Sequence, residues 1–197
     1  MKRYGHAPPT PRTTMKRTLL ALLLSAAIAP FATAQVRALT LSEMVEVADQ
    51  GVFGQILSKR VQRLDALDGR TLYYTTLVVE GRQLADGTPV RVEVAFPGGF
   101  INEEEGYWHS ESPSADETRV GSEIIAFYKW SPGMGGALDA NWLYANHGGL
   151  FRTVAGPADH VVLGRGEGYA IAKNIRLNDL DQSVAKIRVE QAQKKSR

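Results

Sequence analysis

From Val90 onward, Val90, Val92, Val94 and Phe96 alternate with Arg91, Glu93 and Ala95, and this period of two predicts a strand with one buried face. Pro97-Gly98-Gly99 ends it, because proline has no N–H for a ladder and paired glycines favour irregular dihedrals. Upstream, Val52 to Leu64 and Thr71 to Glu80 are rich in β-branched and aromatic residues. The acidic, glycine-ended run Asp65-Ala66-Leu67-Asp68-Gly69 joins them as a long hairpin, and Asp86-Gly87 is a second turn signal. Glu123 to Trp130 reads as a further strand. Trp142 to Tyr144, Leu150 to Val154, His160 to Leu163 and Tyr169 to Lys173 are four shorter candidates between Gly, Pro and Asp turns. Two stretches lack any period: residues 100–120, a long polar loop, and Ser131 to Ala140, with Pro132 and three glycines.

Helical spacing occurs at both ends of this β-rich region. Leu41, Met44, Val45 and Ala48 recur at i, i+3, i+4 and i+7 behind Thr40-Leu41-Ser42-Glu43, a capping box, with Gly51 as the expected stop. Leu177, Leu180, Val184 and Ile187 give a second apolar stripe, with a helix expected from about Asp179. Asp179 and Asp181 sit at its start and Lys186, Arg188, Lys194 and Lys195 towards its end, as the helix dipole favours. Short strands flanked by terminal helices, without βαβ alternation, predict a mainly β chain: a small antiparallel OB-like barrel with a short N-terminal helix and a C-terminal helix.

Ahead of all this lies an apolar run of another kind. Lys16 and Arg17 precede Leu19 to Ala29, and Ala32-Thr33-Ala34 follows, the three-part pattern of a secretory signal peptide cleaved before Gln35. Pro30 interrupts the run, which is shorter than the ~20 residues a spanning helix needs, so no stable membrane anchor is expected after cleavage. Residues 1–34 are therefore read as leader and signal peptide, residues 35–197 as a single β-rich exported domain, secreted or periplasmic.

Export changes the charge balance. Five of the 23 basic residues and none of the 21 acidic ones lie in residues 1–34, so the formal charge of +2 becomes about −3. A mildly acidic domain without basic clusters has no footprint for a phosphate backbone, and nucleic acid is not an expected partner. The 197 residues include no cysteine, which excludes disulfides, thiolate metal sites, cysteine nucleophiles and a lipidated-cysteine anchor.

The order of motifs carries a resemblance. The short helix with Val45 and Ala48, the strand from Val52, the strand around Tyr73 to Val79, Val-x-Val-x-Val-x-Phe into Pro97-Gly98-Gly99, Gly121-Ser122-Glu123-Ile124-Ile125-Ala126-Phe127 and Gly149-Leu150-Phe151-Arg152-Thr153-Val154 together resemble a family of uncharacterised exported bacterial proteins. The likeness covers roughly Leu41 to Val154 and brings no activity or catalytic residues with it. The layout is also similar to the OB-like barrel of netrin-type modules, some of which inhibit metalloproteinases. Those depend on disulfides and a cysteine-led edge, and this sequence has neither.

Candidate chemistry is sparse. His109, His147 and His160 are the histidines after the leader, and no His-x-x-x-His or His-Glu-x-x-His spacing links them. His109, Glu111 and Asp116 form a conceivable zinc or calcium set, better explained as loop polarity. Gly-x-Ser-x-Gly is missing, and Gly133-Met134-Gly135-Gly136 has no Gly-Lys-Ser/Thr after it to cradle a phosphate. Aromatic residues remain, in or beside the aperiodic stretches. If those two stretches meet at one barrel end, Trp108, His109, Trp142 and His147 line a shared groove. The expectation is a non-enzymatic binding or accessory module, with no cofactor, that takes a protein or other macromolecular ligand outside the cytoplasm. The alternative is a metal-dependent or hydrolytic enzyme using the 101–117 loop.

Overall fold

The computed structural model describes residues 39–66, 68–136 and 138–196. The expected signal peptide and its expected cleavage site lie outside the described residues. Helix α1 (Leu41–Val47) starts with the capping box: the Glu43 amide donates to the Thr40 hydroxyl at 3.2 Å, and the Thr40 amide donates to the Glu43 carboxylate at 2.9 Å. It stops at an extended Ala48, and Gly51 falls inside the following strand.

Strands β1 (Gln50–Asp65), β2 (Thr71–Gln83) and β3 (Pro89–Pro97) form an antiparallel meander. Within the long polar stretch the chain makes a small hairpin, β4 (Gly99–Phe100) with β5 (Gly106–Tyr107). Strand β6 (Glu123–Met134) turns tightly into β7 (Leu138–Leu143). Much of Ser131 to Ala140, expected to be a loose connection, is thus strand. Pro132 is tolerated because the β6–β7 register shifts between Ser131 and Met134, a bulge where no ladder N–H is required. A 3-10 turn over Asn146–Gly149 leads to β8 (Leu150–Ala155), β9 (His160–Val162), β10 (Ile175–Arg176) and helix α2 (Leu177–Lys195). Residues 169–173 are not a strand. They fold back on the preceding turn, with Ile171 and Ala172 carbonyls accepting from the Arg165 and Gly166 amides at 3.0 Å, and Ile171 is buried.

Closure is what makes the sheet a barrel. Beyond the meander, β6 pairs back to the start of β1 from Gln50↔Tyr128 to Gln55↔Glu123, and β7 lies parallel to β3 at Val94↔Asn141 and Ala95↔Trp142. The ring β1-β2-β3-β7-β6-β1, with its single parallel contact, is an OB-like five-stranded barrel. Val52, Ile56, Leu77, Val94, Ile124 and Ala126 fill its interior. Alternate residues of β6, Ile125 and Phe127, face outward to a second core with Met44, Phe151, Leu180 and Val184 from α1, β8 and α2. Buried on both faces, β6 therefore reads as the continuous apolar run Ile124 to Tyr128 and not as an alternation.

Two local features hold this arrangement. Gly54 and Gly81 stand opposite each other in the β1–β2 register, and a Cβ on Gly81 would lie 2.5 Å from the Gly54 Cα. The backbones meet with no room between them. At the other side, Arg188 of α2 donates to the Ala48 and Asp49 carbonyls at 3.0 and 2.8 Å, closing the end of α1, and burial pushes its guanidinium pKa down.

Helix α2 begins at Leu177, with Arg176 offering no side-chain cap. Its cap comes from elsewhere: the Asp159 carboxylate accepts from the Asn178 amide at 2.9 Å. That hydrogen bond is the main reason the Asp159 pKa lies below its ordinary value, with the His160 amide bond and the charges of His160 and Arg176 adding to it. A depressed carboxylate pKa stabilises the fold fully above the unfolded value near pH 4, and the contribution is lost as pH falls through the folded value. Asp159→Asn should therefore lower the thermal midpoint at neutral pH and flatten its dependence on pH below about 4. Melts of both proteins across that range test this; parallel curves would reject the cap.

Candidate functional site

One end of the barrel opens into a cleft of about 640 Å³ beneath the β4–β5 hairpin. The hairpin is carried there by Pro97-Gly98-Gly99. Gly98 has a φ of +86°, and a Cβ on it would sit 3.0 Å from the His109 Cβ and 3.1 Å from the Tyr107 carbonyl oxygen, so glycine is what lets the loop lie close. Thr75 donates to the Gly98 carbonyl at 2.7 Å and Ser112 to the Pro97 carbonyl, fixing both sides of the bend.

The floor of the cleft is the interior face of the barrel itself. Val61, Thr75 and Phe96 are register partners across β1, β2 and β3, so their side chains point to one side. They form the layer above Leu77 and Val94, which belong to the closed core. Reaching this layer requires a change of phase in β1. Val52 and Ile56 face inward, Leu57 is the extra residue of a bulge between Ile56 and Ser58, and beyond it Lys59 and Val61 oppose Leu77 and Thr75. An unbulged strand would present Ser58 and Arg60 there instead.

The lid carries exposed apolar side chains. Trp108 is 71% exposed, Tyr107 55% and Phe100 52%, with Ile101 beside them at 46%. Such a cluster of large rings in water is uncommon unless something covers it.

Of the four residues that the sequence singled out, Trp108 and His109 line this cleft. The His109 Nδ1 accepts from the Glu111 amide at 3.2 Å, and its ring meets Tyr107 edge-on at 6.1 Å. His147 is tied to the same loop: its amide donates to the Glu111 carbonyl at 2.9 Å, and its ring Nδ1 lies 3.0 Å from that oxygen. A carbonyl only accepts, so Nδ1 donates to it, while Nε2 lies 2.9 Å from the Tyr169 hydroxyl. Trp142 is placed elsewhere. It packs edge-on against Tyr74 at 6.3 Å, beside Met134, and does not line the cleft.

A further anchor of the loop is an ion pair. Arg165 donates to Glu117, with both side chains more than four-fifths buried, and also to the Leu150 carbonyl at 2.9 Å, its guanidinium 5.9 Å from the Phe151 ring centre. Glu117 in turn accepts from the Ser114 amide at 2.8 Å.

Sequence reasoning missed Lys59, Val61 and Phe100. The one available signal was the parity change along β1, from inward even positions to inward odd ones. Among the described residues no group of three His, Cys, Asp or Glu side chains is placed to hold a metal ion. His109 and His147 both bond the Glu111 backbone, and His160 meets Glu123 at 2.9 Å. No family model, curated protein or solved structure matches this chain.

Proposed function

We propose that this is an exported, non-enzymatic binding module that holds a protein or other macromolecular ligand outside the cytoplasm on the β4–β5 hairpin and the barrel mouth below it. The observation that carries the reading is the exposure of Phe100, Ile101, Tyr107 and Trp108 on one short hairpin, braced by the Gly98 bend. Rigid rings presented without a covering element supply contact area at little entropic cost, which is how a few residues dominate an interface. His109 and His147 serve to bind the Glu111 backbone and His160 meets Glu123, which supports a binding role for the site. The leader pattern of residues 1–34 supports export.

The double substitution Tyr107→Ala and Trp108→Ala removes the largest exposed surface while touching no core residue. Its melting curve should stay within about 0.5 kcal/mol of the parent, as expected of exposed positions. Retention of partners cross-linked in the extracytoplasmic fraction should fall by more than about tenfold. Undiminished retention by the folded variant would remove the hairpin as the binding element.

A further inference from the structure

The cleft wall carries charge of one sign among the described residues. Six carboxylates occur between Glu103 and Glu117, and none of them lines the cleft. Glu105 turns to Arg63 at 3.6 Å, Asp116 to Arg119 at 2.6 Å, and Glu117 to Arg165. Lys59 is, among the described residues, the one Lys, Arg, Asp or Glu on the wall, and the β1 bulge is what aims it there. Among the described residues its ammonium makes one long contact, 3.4 Å, with the Thr118 hydroxyl, which itself donates to the Ser114 carbonyl at 2.9 Å. Lys59 is in register with Leu77 and Val94, one layer beneath the apolar Val61 and Phe96, and the rings of Tyr107 and Trp108 line the same cleft.

We infer that the barrel mouth is a subsite for an organic anion: a carboxylate carried on a flat or aliphatic group, with the carboxylate at Lys59 and the apolar part between Phe96 and the hairpin rings. This deepens the binding role proposed above and rests on the barrel mouth being a binding site. A bulge that exchanges Ser58 and Arg60 for Lys59 and Val61 presents one compact cation at the foot of an apolar wall formed by Val61 and Phe96. Glu105, Asp116 and Glu117 are each paired with an arginine, so the loop's paired carboxylates do not compete for Lys59. A cationic ligand would meet Lys59, and a purely apolar one would leave the ammonium partly desolvated without compensation.

Three probes of one shape decide it: naphthylacetate, naphthylethanol and naphthylethylamine, titrated by calorimetry into the purified protein and into Lys59→Gln. Naphthylacetate should bind about fivefold more tightly than the alcohol, the size an exposed ammonium and carboxylate supply, and the advantage should shrink with added salt. The amine should bind least. Lys59→Gln should bring the acetate to the affinity of the alcohol and leave the alcohol unchanged, which also reports that the variant is folded. Equal affinity of acetate and alcohol for the parent protein, or a preference surviving in Lys59→Gln, would overturn the anion subsite while leaving the hairpin as a docking element. Failure of all three probes to bind overturns the subsite as well, and partner retention by the Tyr107 and Trp108 variant still judges the broader reading on its own.

Discussion

Gly81→Val is expected to abolish the cooperative melt of this protein. Gly81 faces Gly54 in register where β1 and β2 run closest, and any Cβ there falls within the van der Waals envelope of the Phe53 carbonyl oxygen and 2.5 Å from the Gly54 Cα. Both obstacles are backbone, so no rotamer change relieves them. Separating the strands breaks the ladder that also carries β1 onto β6 from Gln50 to Gln55, and with it the closure of the ring. The cost should reach about 4 kcal/mol or more, a large part of the ~5–15 kcal/mol that holds a domain of this size. Far-ultraviolet circular dichroism during heating tests it: a sharp transition within a few degrees of the parent would show that the strands can part locally.

The second large effect lies at the ion pair that fastens the loop. Arg165→Met leaves Glu117 mostly buried without its cation and removes the hydrogen bond to the Leu150 carbonyl. A buried pair broken on one side costs far more than the pair contributes, about 3 kcal/mol here. Adding Glu117→Gln removes the stranded charge, so the double variant should be more stable than Arg165→Met alone. Urea denaturation of the single and double variants measures both quantities. A loss below about 1 kcal/mol for Arg165→Met would mean that water screens the pair. Because Glu117 also accepts from the Ser114 amide, the same variant should loosen the wall of the cleft, visible as faster amide exchange at Ser114.

Elements with a strong local period were legible. The meander and its turns follow from the alternation of Val90 to Phe96 and the hairpin signal at Asp65 to Gly69, and the Thr40 capping box starts α1 as expected. Ser131 to Ala140 misled because proline and glycine mark loops unless a bulge spares the ladder, and the bulge depends on β7. Residues 169–173 misled because a single buried Ile171 within a fold-back imitates a strand. The start of α2 was placed two residues late because its cap, Asp159, comes from another segment. At the site, Trp108 and His109 were found from their position in an aperiodic polar stretch, and Lys59 was missed because its direction depends on the Leu57 bulge.

The sequence by itself determined the strand-rich composition, the helices at either end and the lack of any thiol, because these are set by the local period and by residue type. Only the tertiary structure decided that β7 runs parallel to β3, joining Val94 to Asn141, and that β1 turns Lys59 toward the barrel mouth. It also separated two tryptophans that look alike in the chain, leaving Trp108 in water and packing Trp142 against Tyr74. The physical reason is common to all three. A side chain's period follows from its neighbours in sequence, whereas its partner and its exposure follow from segments dozens of residues away that come to cover it or leave it bare.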